Sequence, residues 1–466
     1  MKEKSFINLA LVYTVGNFLL KGINFFTVPI FTKILSTNDY GITAIYSTWS
    51  GILTILIGLG VNGTVGSARG NLQEDEYNEY LSTNMFLTTI VFGIFIIMSI
   101  LFKEYLGNIL KINSKLIIIL VINSFFNYII SLISSIYTFD KEANKYLLLS
   151  FITTILNITI SIVLIENINS DKYFGKIYGG AISAIIIGMF SYIKILKRGK
   201  KLISRRYWMY CLPMSIPIVF HNLSHLMLNQ VDRVMLQQYE GAAIVGVYSF
   251  TYNIGIILNI INTSINSAWV AWYFDSLKEK LYCEIEKKAR LYIIIFTALT
   301  SMFLLGSSEI IKILSPKEYW GGISLLPLII LGYYFVFLYT FGVNYEFYKK
   351  KTIFIAIGTI ASAFINIVIN IVLIPKIGVQ GAAISTLVSY IVLFIMHEFI
   401  VRVIFNHKDF PFKYYIYSIF IVVIASIFNY IFLENTIIRW GIIGVIVLVS
   451  LYTIIKLIKN RKSIKF

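Results

Sequence analysis

Apolar runs of about 20 residues succeed one another along the whole chain, separated by short polar or charged connections. That is the length an α-helix needs to cross a hydrocarbon core about 30 Å thick. Membrane-spanning β-strands would instead show segments of about ten residues with alternating hydrophobicity. The pattern therefore predicts an all-α integral membrane protein. Composition removes the soluble alternative: 58% of the 466 residues are hydrophobic and 14% are charged, with a mean hydropathy of +0.78. A soluble domain of this size has too little interior to hide so much apolar surface.

The runs place spans at 6–32, 41–66, 81–102, 116–139, 146–166 and 174–196. A second set follows at 208–236, 242–268, 291–314, 322–345, 352–374 and 378–404, and an extra pair at 413–433 and 437–457. Fourteen transmembrane helices are expected. The first run is too long for a signal peptide and lacks a small-residue cleavage site, so it reads as a span. Five tryptophans, Trp208, Trp269, Trp272, Trp320 and Trp440, fall at expected helix ends, where an amphipathic ring is best placed, and Trp49 lies inside a span.

The net charge of +17 is unevenly distributed. With the N-terminus inside, the inner segments hold 28 Lys and Arg against 11 in the outer ones, and Lys21 is left within the membrane. The positive-inside rule then puts both termini in the cytoplasm. The richest loops, Lys194 to Arg206 and Lys278 to Arg290, read as topology anchors against anionic membrane lipids; no nucleic-acid partner is expected. Cys211 and Cys283 make no disulfide framework and match no metal spacing.

The chain writes one decapeptide twice. NITISIVLIE (Asn157 to Glu166) and NIVINIVLIP (Asn366 to Pro375) agree at seven of ten positions, and each precedes Gly-Ala-Ile-Ser letters that open the next helix. The second helices of the two halves also open alike, with DYGITAIY (Asp39 to Tyr46) and IVGVYSF (Ile244 to Phe250). An even number of spans per copy implies a parallel repeat about an axis along the membrane normal. Two six-helix bundles are thus expected, at 1–205 and 206–407, with 408–466 holding the two extra helices and a basic tail. Two such lobes rocking about a shared axis constitute an alternating-access device.

GLGVNG (Gly58 to Gly63) fits G-x-G-x-x-G, but its glycines close an apolar span and no βαβ unit surrounds them, so a nucleotide site is rejected. They read instead as close helix approach or a loosened helix end. His397-Glu398 lacks the second histidine of a zinc motif, and Glu398 is placed to pair with Arg402 one turn on. Glu346 is expected to pair locally with Lys349 or Lys350. No nucleophile, carboxylate pair, metal cluster or cofactor motif is visible, and no enzyme is expected.

Polar residues inside spans are the remaining signal, because they are costly there and mark substrate paths or helix-helix glue. Lys21, with Asn17 and Asn24 on the same helix face, is read as lining a substrate cavity or as pairing with a neighbouring helix. His221, His225 and Asn229 form one stripe on the seventh helix, read as cavity lining or as packing. Asp232 and Arg233 follow, read as functional or as an outer-end anchor; consecutive helical residues diverge by about 100°, so they are expected to look at different partners. Arg69 is an inside anchor or a cavity-mouth cation. Stripes at Asn123, Asn127, Ser131 and Ser134, and at Asn259, Asn262 and Asn266, are read as interhelical glue.

The order of features resembles the polysaccharide-transporter branch of the multidrug/oligosaccharidyl-lipid/polysaccharide exporter superfamily. The likeness is carried by VPIFTKILSTNDYG (Val28 to Gly41), GLGVNGTVGSARG (Gly58 to Gly70), NQVDRVML (Asn229 to Leu236), VGVYS (Val245 to Ser249), SPKEYWGGISLLPLI (Ser315 to Ile329) and NIVINIVLIPKIGVQGAAIST (Asn366 to Thr386). The resemblance implies a bacterial flippase that carries undecaprenyl-pyrophosphate-linked sugar repeat units across the cytoplasmic membrane for surface polysaccharide biosynthesis. The partners it would imply are a coupling ion, Na⁺ or H⁺, and polysaccharide polymerase machinery; the sequence itself does not say whether Na⁺, H⁺ or membrane potential drives transport. By likeness, Arg69 is the basic residue after helix two, and Asp232-Arg233 the acid-base pair of helix seven. Where relatives carry a proline, this chain has WVAWYF (Trp269 to Phe274), which puts the hinge after helix eight in question. The physical reading agrees: an anionic, sugar-bearing head needs cations, amides and hydroxyls along its path. The rivals are a cation-coupled drug antiporter of the same superfamily, which would want embedded carboxylates, and a lipid II flippase. A membrane glycan polymerase would bring a large outer loop, and none is present.

Overall fold

The computed structural model describes Gly16, Ile23 and residues 27–462, with side chains as far as Thr453. Among them, 13 helices are long and apolar enough to cross a membrane, and no strand occurs. The chain is an all-α, multi-pass membrane protein. The first expected span, 6–32, falls largely outside the described residues.

The chain divides into two compact units, one reaching Ser249 and taking in Asn370–Val379, the other formed by Phe250–Ile369 and Gln380 onward. The first holds α1 (Thr37–Gly58), a 3-10 turn (Val61–Thr64), α2 (Val65–Asn71), α3 (Glu74–Leu101) and α4 (Lys103–Leu110). It continues with α5 (Lys115–Phe139), α6 (Ala143–Glu166), α7 (Tyr173–Gly199), α8 (Arg205–Glu240) and the opening of α9 (Ala242–Lys278). The second holds the rest of α9, then α10 (Tyr282–Leu305), α11 (Ser307–Leu314), a 3-10 turn (Lys317–Ser324) and α12 (Leu326–Tyr348). Most of α13 (Thr352–Ile377) and α14 (Val379–Phe399) follow, then α15 (Lys413–Ile431) and α16 (Thr436–Lys462).

Local chemistry sets the boundaries. Ser36 caps α1 by accepting from the Asp39 N–H at 3.1 Å, while Asp39 Oδ2 accepts from the Ser36 N–H at 3.4 Å, a reciprocal capping box. At its other end α1 stops because Leu59 (φ 49°) and Gly60 (φ 68°) both turn left-handed. A Cβ on Gly60 would stand 2.7 Å from the Ser215 carbonyl of α8. GLGVNG is therefore a helix terminator and a close crossing.

The polar stripes act as glue in part: Ser131, Asn262 and Asn266 bond to other elements, whereas Asn127 bonds to Asn123 and Ser134 to the Ile130 carbonyl of their own helix. Asn62 Nδ2 donates to Ser131 Oγ at 3.1 Å, Tyr292 donates to Asn262 Oδ1 at 3.3 Å, and Asn344 Nδ2 donates to Asn266 Oδ1 at 2.8 Å. In the twice-written decapeptide, Asn366 Nδ2 donates to Thr386 Oγ1 of α14 at 3.4 Å. Asn157 Oδ1 lies 3.7 Å from the position a Cβ would take on Gly180 of α7. Each asparagine thus faces the helix that follows it.

Three expectations give way. α9 runs unbroken through WVAWYF to Lys278, because no proline there removes an N–H, so the long connection and its hinge shrink to residues 279–281. Trp269, expected at the interface, is a core residue. It stacks on Tyr273 with centroids 5.6 Å apart and touches Tyr292 and Phe341. Glu346 is fully buried and faces His397 of α14, Oε1 to Nδ1 2.8 Å, instead of Lys349 or Lys350. Burial selects the partner, since a polar group deep in the bundle costs more unpaired than an exposed pair returns. Glu398 does pair with Arg402, at 2.6 Å. Glu346→Ala is expected to cost about 1–3 kcal/mol, whereas Lys349→Ala should leave thermal unfolding of the purified protein unchanged. Equal losses would restore the local pair.

Candidate functional site

The expected site residues in the first unit lie along α8. His221 and His225 are exposed and Asn229 is half-buried, so the stripe is presented outward. Asn229 Nδ2 donates to the His225 carbonyl at 2.6 Å, which ties its amide to its own helix. Pro213 and Pro217 interrupt the hydrogen-bond ladder just below.

Near the far end of α8, Asp232 is buried at 1% exposure. It accepts from the Tyr248 hydroxyl, and its Oδ1 accepts from the Arg233 N–H at 2.9 Å. Arg233 turns the other way, Nε donating to Ser249 Oγ at 3.1 Å and Nη1 to the Asn229 carbonyl at 3.4 Å. Adjacent residues on α8 are thus read by adjacent residues on α9. α9 is held close by a crossing without side chains. A Cβ on Gly41 of α1 would overlap the Ala242 carbonyl, and a Cβ on Gly246 would overlap the Thr37 carbonyl. Thr37 and Ala242 each precede their glycine by four residues, so the contact maps onto itself when the two helices are exchanged, as a local two-fold requires.

Arg69 sits elsewhere. In α2 it pairs with Glu74 and, through Nε at 3.0 Å, with Asp140, and its guanidinium lies over the Tyr77 ring at 5.0 Å. Arg198 joins Glu74 at 2.9 Å. Burial raises the Asp140 carboxyl above the ordinary aspartate range while Arg69 pulls it down. Ser67 Oγ, 3.1 Å from the Tyr210 hydroxyl, fixes α2 beside Tyr210. Asp232 lies 22 positions further along α8, about 30 Å at helical rise. The structure brings Asp232 and Arg233 together and leaves Arg69 at the other end of the helix.

Lys176, counted among the outer connections, lies in α7, and its Nζ stands 3.5 Å from the Phe31 ring centroid. Periodicity offered no sign of this, because the ring comes from a segment 145 positions earlier. Lys21, Asn17 and Asn24 lie outside the described residues.

The match to known sequences decides the family. A profile described as "Polysaccharide biosynthesis protein" matches residues 8–275. The chain belongs to that family. Relatives of the chain include an uncharacterized membrane protein of Haemophilus influenzae, 24% identical over 81% of this chain and 94% of the relative. Another is the Lsg locus putative protein 1 of the same organism, 22% identical over 80% and 94%. The fold is that of the lipid II flippase MurJ in an inward closed conformation, with a TM-score of 0.77 at 18% identity, covering 98% of this chain and 100% of that one. An inward-facing multidrug resistance MATE transporter of the MOP superfamily shares it at a TM-score of 0.66 and 15% identity, covering 86% and 99%. This family member is a multi-pass helical membrane protein that shares its fold with those two transporters.

Proposed function

We propose that the chain flips an undecaprenyl-pyrophosphate-linked oligosaccharide repeat unit across the bacterial cytoplasmic membrane by alternating access. In this reading both termini are cytoplasmic, the two repeat-related lobes are 1–205 and 206–407, and a Na⁺ or H⁺ gradient drives the cycle. The flipped unit then passes to polysaccharide polymerase machinery. The observation that carries the reading is the state of the embedded carboxylates. Asp232 is engaged by Tyr248, Glu346 by His397, and Glu398 by Arg402 and Tyr415. None is presented to a cationic drug, whereas Lys176 and Arg233 place positive charge within spans, which suits a pyrophosphate head. Lys21, Asn17 and Asn24 extend that path, Arg69 receives the head group at the inner end, and His221, His225 and Asn229 meet the sugars. A lipid II flippase is the second reading, favoured by the fold shared with MurJ.

Proteoliposomes separate these readings. Fluorescent polyprenyl-pyrophosphate oligosaccharide, lipid II and a cationic dye are each assayed for transfer to the opposite leaflet or lumen. The oligosaccharide is expected to move, with Arg233→Ala and Lys176→Ala at matched protein reducing the rate at least tenfold and Lys21→Ala abolishing it. Transfer of the dye alone would make the protein a drug antiporter. Transfer of lipid II alone would establish the second reading.

A further inference from the structure

A cavity of about 240 Å³ opens in the first unit where α3, α5, α7 and the start of α6 converge. Its wall carries three cations, Lys145, Lys194 and Arg198, against one carboxylate, Glu142. Each cation is steered by a partner and keeps donors in reserve. Lys194 Nζ donates to the Tyr137 hydroxyl at 2.9 Å, Lys145 Nζ to Glu142 Oε1 at 2.6 Å, and Arg198 Nη2 to Glu74 Oε1 at 2.9 Å. An ammonium has three N–H groups and a guanidinium five. The side chains of Lys145 and Arg198 are 57% and 46% exposed. Behind them the floor is hydrocarbon, with Leu81, Ile133 and Ile136 lining the cavity. Asn78 also lines it.

We infer that this cavity binds the phosphate headgroup of an anionic glycerophospholipid of the inner leaflet. The excess of cations selects a phosphate over a zwitterionic or cationic head, because an incoming anion relieves the repulsion among them. The apolar floor adjoining the cations fits the point where a glycerol backbone meets its acyl chains. The side of the membrane follows from the same excess of Lys and Arg that orients the chain. Arg198 shares Glu74 with Arg69, so the cavity borders the inner end of the proposed transport path, but none of its lining residues is assigned to the cargo; the bound lipid is a resident cofactor of the helix junction.

The test uses the full chain purified in detergent. Native mass spectrometry and thermal unfolding are followed during titration with dioleoyl phosphatidylglycerol, dioleoyl phosphatidylcholine, undecaprenyl pyrophosphate and inorganic pyrophosphate. Phosphatidylglycerol is expected to be retained and to raise the melting temperature at concentrations at least tenfold below phosphatidylcholine. Lys145→Gln/Lys194→Gln should abolish that preference while the melting temperature without lipid stays the same, and Lys194→Arg should keep it. Should the double variant fail to fold, the wild-type comparison still decides, since equal retention of the two phospholipids overturns the proposal. A preference that survives in a folded double variant overturns it as well. Undecaprenyl pyrophosphate binding in place of phosphatidylglycerol would assign the cavity to the cargo, and inorganic pyrophosphate acting as well as the lipid would remove the lipid; either overturns it. Loss of flipping with lipid preference intact would touch the proposed function alone.

Discussion

Gly41→Val is expected to leave little folded protein in the membrane, and Gly246→Val to do the same. Most core substitutions that add carbon can be absorbed by a side chain choosing another rotamer. Here the atoms in the way are backbone carbonyls, Ala242 for Gly41 and Thr37 for Gly246, and a carbonyl inside a helix cannot rotate without losing its hydrogen bond. α1 and α9 would have to part, which also loosens the neighbouring bonds from Tyr248 to Asp232 and from Arg233 to Ser249. Overpacking ordinarily costs about 1–3 kcal/mol, and a clash that only helix displacement can relieve belongs at or above the top of that range. The control is Gly93 in α3, with no atom within 4 Å of its would-be Cβ. Gly93→Ala should be neutral or stabilising by up to about 1 kcal/mol, since alanine is the better helix former. Detergent-solubilised monomer recovered after graded heating measures all three. A Gly41 variant as robust as the Gly93 variant would mean that the crossing is not held by the missing side chains.

The second large effect is expected at Arg439. Its side chain is 1% exposed, yet every direction of the guanidinium is met. Nη1 donates to Glu309 Oε2 and to the Leu305 carbonyl, both at 2.7 Å, Nη2 to Glu309 Oε1 at 2.5 Å, and Nε to the Phe432 carbonyl at 3.0 Å. Glu309→Ala strands that charge, and breaking one side of a buried pair typically costs about 3–5 kcal/mol. Arg439→Leu should cost less, because Glu309 is 17% exposed and can reach water. Glu309→Leu/Arg439→Leu should recover most of the loss, since well-packed apolar residues often replace a buried pair at little penalty. Thermal unfolding of the four proteins closes a double-mutant cycle. Additive losses would show that the pair contributes no coupling.

The helices were legible because lipid imposes a length and apolarity that composition cannot disguise. The asparagine stripes were legible because a 3.6-residue period is a local property. What escaped were partners chosen across the fold. Glu346 has two lysines within one turn, but its side chain points into the bundle, where His397 reaches it. Lys176 falls inside the expected span 174–196, but its ring partner, Phe31, has no trace in the surrounding letters. Short α4 and α11 were missed because eight residues cannot span a membrane and carry too little periodic signal. In the candidate site, the divergence of Asp232 and Arg233 could be read from the 100° step, whereas Tyr248 and Ser249, their readers on α9, could not be assigned without the packing of α8 on α9.

The Arg439–Glu309 pair also bears on how the protein is made. Glu309 and the Leu305 carbonyl leave the ribosome 130 or more residues before the arginine that satisfies them. Until α16 is synthesised and inserted, α10 and α11 carry an acid and a carbonyl without their cation. A chain stalled or cleaved before Thr436 therefore keeps Glu309 and the Leu305 carbonyl without the guanidinium that α16 brings to them.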